Sequence, residues 1–498
     1  MKKINILFAL ICLFTFSSCE DFLDKAPTNY GDSATAVKTA KDATSMVNGI
    51  LSKMSGGSYL GRDMFLYADA KGGDMTIISN GRGYDGLYLF SHATNSGAYS
   101  GFWTLGYNII MQINSLLASI EKLEAEGSTE NFDNIKGQIL TYRAMIYFDL
   151  VRLYGEPYNE KDPTQSWGVP NVTTVLEPLD CVLRAKVKDN YTTILNDLQT
   201  AESLISKSKS NGYINYYGNK AIQARVYLSM DDFDNAYAAA EKIINEGGYE
   251  LYTNEKWVQS WAGQFGSESI FEIYMLDEEG DLGSSSLGGV YSRAKDYTTS
   301  IGGYYVASDY FMDRLGEDPD DVRWGIMTYD ETSKTRLGCC YKYLGGTTKD
   351  ANNKYPGDGK ASASACNIKV IRLSEIYLIA AEAALRKTTP DKQKAADYLN
   401  EIRKRAPNLV PADESTITLD MILDERSKEL VCEGHRFWDM IRNNKTIYFD
   451  DFLGNVNLTD RDHTIDRTHY KTILPIFTAE INANPDIAAQ QNPGYSNK

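Results

Sequence analysis

The stretch LDMILDERSKELVCEGHRFWDMIR, residues 419–442, decides how the rest of the chain is read. Leu419, Ile422, Leu423, Leu430, Val431, Phe437, Trp438 and Ile441 recur at the i, i+3, i+4, i+7 steps of one helix face. That spacing predicts a single long amphipathic helix. Gly434 falls inside it. An interior glycine costs about 1 kcal/mol against alanine, so its presence points to another backbone coming close. Asp424, Glu425, Arg426, Glu429, Glu433, Arg436, Asp439 and Arg442 crowd the same helix and can pair at i, i+3 or i+4. Two arrangements answer to this pattern. One is a solvated salt-bridge face. The other is a partly buried Arg/Glu network that fixes how the helix docks.

Helix pairs extend outward from that stretch. The period of 3.6 is clear over 101–125, through Trp103, Leu105, Ile109, Ile113, Leu116 and Ile120, and a partner follows over 132–154, ended by Gly155 and Pro157. Further helices are predicted over 184–207, 216–230, 231–245, 371–386 and 391–405, and another from Ser33 to Met54. Ala221, Ala224, Ala236 and Ala240 in one pair, and Ala380, Ala381, Ala383 and Ala384 in another, permit close helix contact. Pairs of this kind predict a stacked, solenoid-like scaffold reminiscent of tetratricopeptide units. Two regions break the pattern. Residues 55–101 are rich in Gly with little helical period. Residues 249–370 read as a loop-rich excursion, with a strand expected over 269–276. Residues 450–498 read as a loop segment wrapping back.

The 498 residues exceed the usual single-core limit of roughly 250–300, which points to two or three domains. The net charge of −16 argues against nucleic acid and against charge-driven binding to an anionic membrane. At the start, Lys2 and Lys3 precede an apolar run from Ile4 to Phe16 that is too short to span a bilayer, which takes about 20 residues. Ser17 and Ser18 lead into Cys19 as in a bacterial lipobox, with Phe16 where leucine is usual. Residues 1–18 are therefore read as a signal peptide, Cys19 as the lipidated residue and 19–32 as a tether; two or more acyl chains anchor stably. Cys181, Cys339, Cys340, Cys366 and Cys432 form no disulfide framework or zinc spacing and are read as small buried hydrophobes.

The segment DERSKELVCEGHRFWDMIR resembles the C-terminal signature of the SusD/RagB family of Bacteroidota surface lipoproteins. TYRAMIYFDLVRLYGE (141–156), NKAIQARVYLSMDDFDNA (219–236), IRLSEIYLIAAEA (371–383), ADYLNEIRKRA (396–406) and LPIFTAEINANPDIAAQQNPGY (474–495) match in the same order. The acidic Glu20, Asp21 and Asp24 after Cys19 resemble a surface-export signal. The resemblance covers essentially the whole chain. It implies a mostly α SusD-like fold with four tetratricopeptide-like helix pairs plus the loop-rich excursion. On this reading 33–498 is one SusD-like domain, divided into 33–248, 249–370 and a signature region, 371–498. It also implies a non-enzymatic lipoprotein of the outer membrane surface. Such proteins capture an oligosaccharide, or in some relatives an oligopeptide, for a SusC-like TonB-dependent transporter that they cover as a lid.

Chemical motifs are sparse. Gly81-Arg-Gly-Tyr-Asp-Gly86 has the G-x-G-x-x-G spacing, but the residues after it predict no helix and no acid follows at the distance a dinucleotide site needs. Asp460, Asp462, Thr464 and Asp466 alternate like a calcium loop but lack its Gly at position 6 and Glu at 12. No cofactor, metal or catalytic constellation is expected; the enzymatic alternative is an all-helical glycoside hydrolase with paired carboxylates. What stands out is 34 tyrosines. Tyr84, Tyr88, Tyr291, Tyr297, Tyr304 and Tyr305 lie in the Gly-rich segments, outside any helix period, and are the expected ligand-binding residues. A tyrosine ring offers a flat apolar face with a polar edge, which suits the C–H faces and hydroxyl rim of a sugar.

Overall fold

The computed structural model describes residues 37–81, 83–95, 101–177, 179–276, 282–292, 303–330, 336–345, 364–454 and 456–496. The signal peptide, Cys19 and the tether lie outside them. Most of the predicted helices form close to their expected limits. With α2 and α8, which form where no helix is predicted, the main helices in chain order are α1 (Ala40–Met54), α2 (Asp63–Lys71), α3 (Gly101–Ala125), α4 (Asp133–Tyr154), α5 (Val187–Glu202), α6 (Tyr216–Ser229), α7 (Phe233–Glu246), α8 (Asp309–Leu315), α9 (Leu373–Arg386), α10 (Lys392–Arg403), α11 (Leu419–Glu429) and α12 (Arg436–Arg442).

Local chemistry sets their ends. Thr39 and Asp42 make a reciprocal capping box at α1. Asn215, Asp232, Asp391 and Thr418 each accept a backbone N–H at the start of α6, α7, α10 and α11. Gly155 turns extended and ends α4. The stack is continuous: α3 packs on α4, α4 on α5, α6 on α7 and α9 on α10, while α7 meets α9 across the whole excursion. Ala221, Ala224, Ala236, Ala240, Ala380, Ala381, Ala383 and Ala384 are all fully buried at these contacts.

Three expectations change. First, α2 lies in the segment expected to lack helix. All its residues from Met64 to Lys71 are buried, so no polar face writes a period into the sequence. Second, the organising stretch is two helices, not one. Cys432 (φ 62°) and Gly434 (φ 77°) sit in the left-handed region and break it. A Cβ on Gly434 would lie 2.7 Å from Phe65 Cα, and the Gly434 N–H donates to the Asp69 carboxylate of α2 at 3.1 Å. The backbone approach inferred from Gly434 is therefore present, and it comes with a turn. Third, Cys181 is exposed; Cys339, Cys340, Cys366 and Cys432 are buried.

Among the described residues eight short strands form, including β1 (Met75–Thr76), β2 (Ser269–Ile273), β3 (Val306–Ala307) and β4 (Ile368–Arg372). β1 pairs antiparallel with β3, and β2 with β4. The second ladder joins the two ends of the excursion. Residues 450–496 wrap back as expected, with Leu474 N–H bonded to Leu153 O and the Asn492 amide to Tyr154 O at the end of α4.

Most charges of the organising stretch, Glu425, Arg426, Glu429, Glu433, Asp439 and Arg442, are buried, while Asp424 and Arg436 are partly exposed. Arg372 on β4 binds Glu433 at 2.8 Å, Glu268 at 2.8 Å and Glu429 at 3.2 Å. Lys342 binds Glu433 at 2.6 Å, Arg323 binds Glu425 at 2.6 Å, and Arg442 binds Asp439 at 2.7 Å. Buried charges persist only when paired and hydrogen-bonded. Arg323 and Lys342 come from the excursion, so the network locks it to α11 and the turn.

Candidate functional site

The Gly81–Gly86 run carries a half-buried aromatic of the Gly-rich segments, Tyr84. Gly81, Gly83 and Tyr84 all take positive φ, and the turn ends in a single helical turn over Asp85–Tyr88. The Asp85 carboxylate accepts the Gly81 N–H at 2.8 Å. β1 before it is antiparallel and no long helix follows, so this is not a dinucleotide-binding βαβ unit. The turn instead presents Tyr84, whose ring meets Tyr304 edge to face at 5.4 Å and 78°. Both residues are half-buried.

Arg62 supports this pair. Its Nη1 donates to the Tyr84 hydroxyl at 2.7 Å, and its guanidinium carbon lies 4.4 Å from the Tyr84 ring centre. Asp63 holds Arg62 Nε at 2.5 Å. Burial pushes the Asp63 carboxyl up, against the pull of Arg62. Ser285 completes the rim, with its hydroxyl 3.4 Å from the Tyr84 hydroxyl. The site thus combines an aromatic pair, a braced guanidinium and a hydroxyl.

The six expected tyrosines divide. Tyr84 and Tyr304 come together from the two segments named for them. Tyr88, Tyr291 and Tyr305 are fully buried and offer no face to a ligand. Their hydroxyls donate into the interior: Tyr88 to Asp451 at 2.8 Å, Tyr291 to Asp69 at 2.7 Å, and Tyr305 to the Tyr84 carbonyl at 2.8 Å. Tyr305 therefore holds the turn that carries Tyr84. Tyr297 lies outside the described residues. Arg62 and Ser285 were not singled out from the sequence; no spacing ties either to Tyr84, and only the folded chain joins them.

The alternating acids at 460–466 are engaged by the protein. Asp460 binds Lys471 Nζ at 2.6 Å, and Asp466 accepts from Thr468 at 2.6 Å. Among the described residues no three His, Cys, Asp or Glu side chains converge as a metal site.

Residues 327–495 match the family model described as the SusD family, and residues 21–228 the one described as "Starch-binding associating with outer membrane". A SusD superfamily protein of Bacteroides thetaiotaomicron VPI-5482 is 32% identical, covering 92% of this chain and 100% of that one, with a TM-score of 0.80. This chain belongs to the SusD family. A SusD-like protein of Bacteroides ovatus is 25% identical over 89% of this chain and 82% of its own length. A SusD-like protein described as laminarin-binding is 22% identical and covers 92% of this chain and 100% of that one. With a TM-score of 0.68 it shares the fold. SusD membership brings a general nutrient-binding role associated with the outer membrane.

Proposed function

We propose that this SusD protein binds an oligosaccharide at the bacterial surface and delivers it to a SusC-like TonB-dependent transporter, held to the outer membrane by lipid on Cys19. The observation that carries the ligand reading is the Tyr84–Tyr304 pair backed by Arg62. A half-buried aromatic pair beside a fixed donor and a hydroxyl suits the two sides of a sugar, apolar faces and hydroxyl edges. The starch-binding description of the matched family and the laminarin-binding neighbour support a saccharide over a peptide. The matched family and the laminarin-binding neighbour are described by binding, which supports a binding role over a catalytic one.

The test is a glycan array with the chain from residue 20, followed by calorimetry of Tyr84→Ala and Tyr304→Ala on the sugar found. Each variant should keep the parental Tm and lose affinity by at least about 1 kcal/mol, as anchors in small interfaces do. Parental affinity in both would move the site elsewhere. Loss of affinity with a lowered Tm would mean that the rings only pack the loops.

A further inference from the structure

A second cleft lies around the corner from Tyr84, between α1, the turn after α5 and the end of β2. Its volume is about 350 Å³, within the roughly 300–1,000 Å³ of small-molecule sites. The floor is apolar, made by Leu51 and Met275, both buried. Above it stands Tyr274, with 48% of its surface exposed. Phe265 packs against that ring at 6.0 Å between centres and 39°, so Tyr274 is braced where it lines the cleft.

The rim is polar and uncharged. The Tyr213 hydroxyl donates to Asn48 Oδ1 at 2.5 Å, which fixes the Asn48 amide and leaves its N–H₂ for a ligand. Asn211 rides a tight turn closed by Tyr213 N–H to Ser210 O at 3.1 Å, with Gly212 at φ 86°. Ser52 is exposed on the α1 side. Among the described residues lining the cleft none is Asp, Glu, Lys or Arg, in a chain that is 24% charged. Among these described lining residues an ionised ligand meets no counter-charge. A neutral polyol with one apolar face would find a ring below and amides and hydroxyls around its edge.

The cleft adjoins the first site. Ser55 in its wall is two residues from Gly57, and a Cβ on Gly57 would lie 3.3 Å from Ser285 O and 3.6 Å from Arg62 Nη1. We infer that this cleft is a second saccharide subsite, built for an uncharged sugar, and that one neutral oligosaccharide engages it together with the Tyr84 platform. The inference rests on the saccharide reading of the Tyr84 site.

The experiment uses calorimetry with neutral disaccharides and hexasaccharides of glucose, mannose, xylose and galactose, and oligogalacturonate as the charged control. Proteins are the parent, Tyr84→Ala, Tyr274→Ala and Ser52→Lys, the last placing a charge in the cleft from an exposed helix position. A neutral hexasaccharide should bind the parent. Tyr274→Ala and Ser52→Lys should each weaken it about tenfold at unchanged Tm, the loss of one anchor. Parental affinity in both cleft variants, with binding still lost in Tyr84→Ala, overturns the second subsite and leaves the first standing. Binding of oligogalacturonate alone overturns the neutral class. A parent that binds no saccharide overturns both readings.

Discussion

Glu433 shows what one residue of the signature does. It accepts from Arg372 at 2.8 Å and from Lys342 at 2.6 Å, all three side chains being nearly inaccessible. Removing one member leaves the others as uncompensated buried charges. Glu433→Ala should therefore cost about 3 kcal/mol or more in urea melts, near the range for a broken buried pair. Arg436 is a milder case. It lies 3.4 Å from Asp74 and donates to the Leu423 carbonyl at 3.0 Å, away from the Arg372 network. Arg436→Ala should cost less, about 1–2 kcal/mol, the ordinary range for a lost charge-assisted contact. Equal costs would contradict this division. The sequence spacing put both residues on one helix and could not tell them apart, because their partners Asp74, Lys342 and Arg372 are far along the chain. The same limit hid the burial of Tyr88, Tyr291 and Tyr305: a tyrosine outside a helix period is buried or exposed according to what its hydroxyl meets.

Among elements, α3, α7 and α10 were legible because each buries one stripe and exposes another, while the mostly buried α4, α6 and α9 were legible as long runs beside these partners, α4 ended by Gly155 and Pro157. α2 was not legible, since it is buried nearly all round, only nine residues long and without a capping side chain at its start. The α11–α12 break was missed because both helices face the core, so the apolar spacing survives the turn. Gly434→Ala separates the two descriptions by sign. In a continuous helix, alanine would gain roughly 1 kcal/mol. At φ 77°, with Phe65 Cα 2.7 Å from the new Cβ, it should instead lose about 2 kcal/mol or more. Thermal melts of the single variant decide.

Over the whole molecule, burial of charge gives stability a direction with pH. Burial lowers the His435 imidazole to about 4, with Glu375 pulling the other way, and drives His92 well below its usual range. The unfolded chain binds these protons at about pH 6.5 and the folded protein does not, so stability is full above that value and falls between about pH 6.5 and 4. Glu375 and Glu429, each lowered to about 2 by arginines that outweigh burial, act lower down. Their contribution is present above about pH 4.5 and fades as pH approaches 2. In urea melts from pH 8 to 4, His435→Gln should flatten the upper limb by up to one proton; an unchanged slope would remove His435 from the account. For anchoring, Cys19→Ala should move the protein from the membrane to the soluble fraction, and retention in the membrane would refute lipid attachment there. Mild-detergent pull-downs of the parent should return a large β-barrel partner, and repeated isolation of the protein alone would count against delivery.

The β2–β4 ladder has a consequence for diversification. It seals the two ends of the 274–367 segment, while Arg323 and Lys342 pin that segment to the scaffold from within. The entropy of closing a flexible loop grows by only about 0.6 kcal/mol per doubling of its length. Stretches of this segment away from the pins can thus be lengthened, shortened or exchanged at little thermodynamic cost. The helical stack would serve as a chassis, and new ligand preferences could be written into a cassette without refolding what carries it.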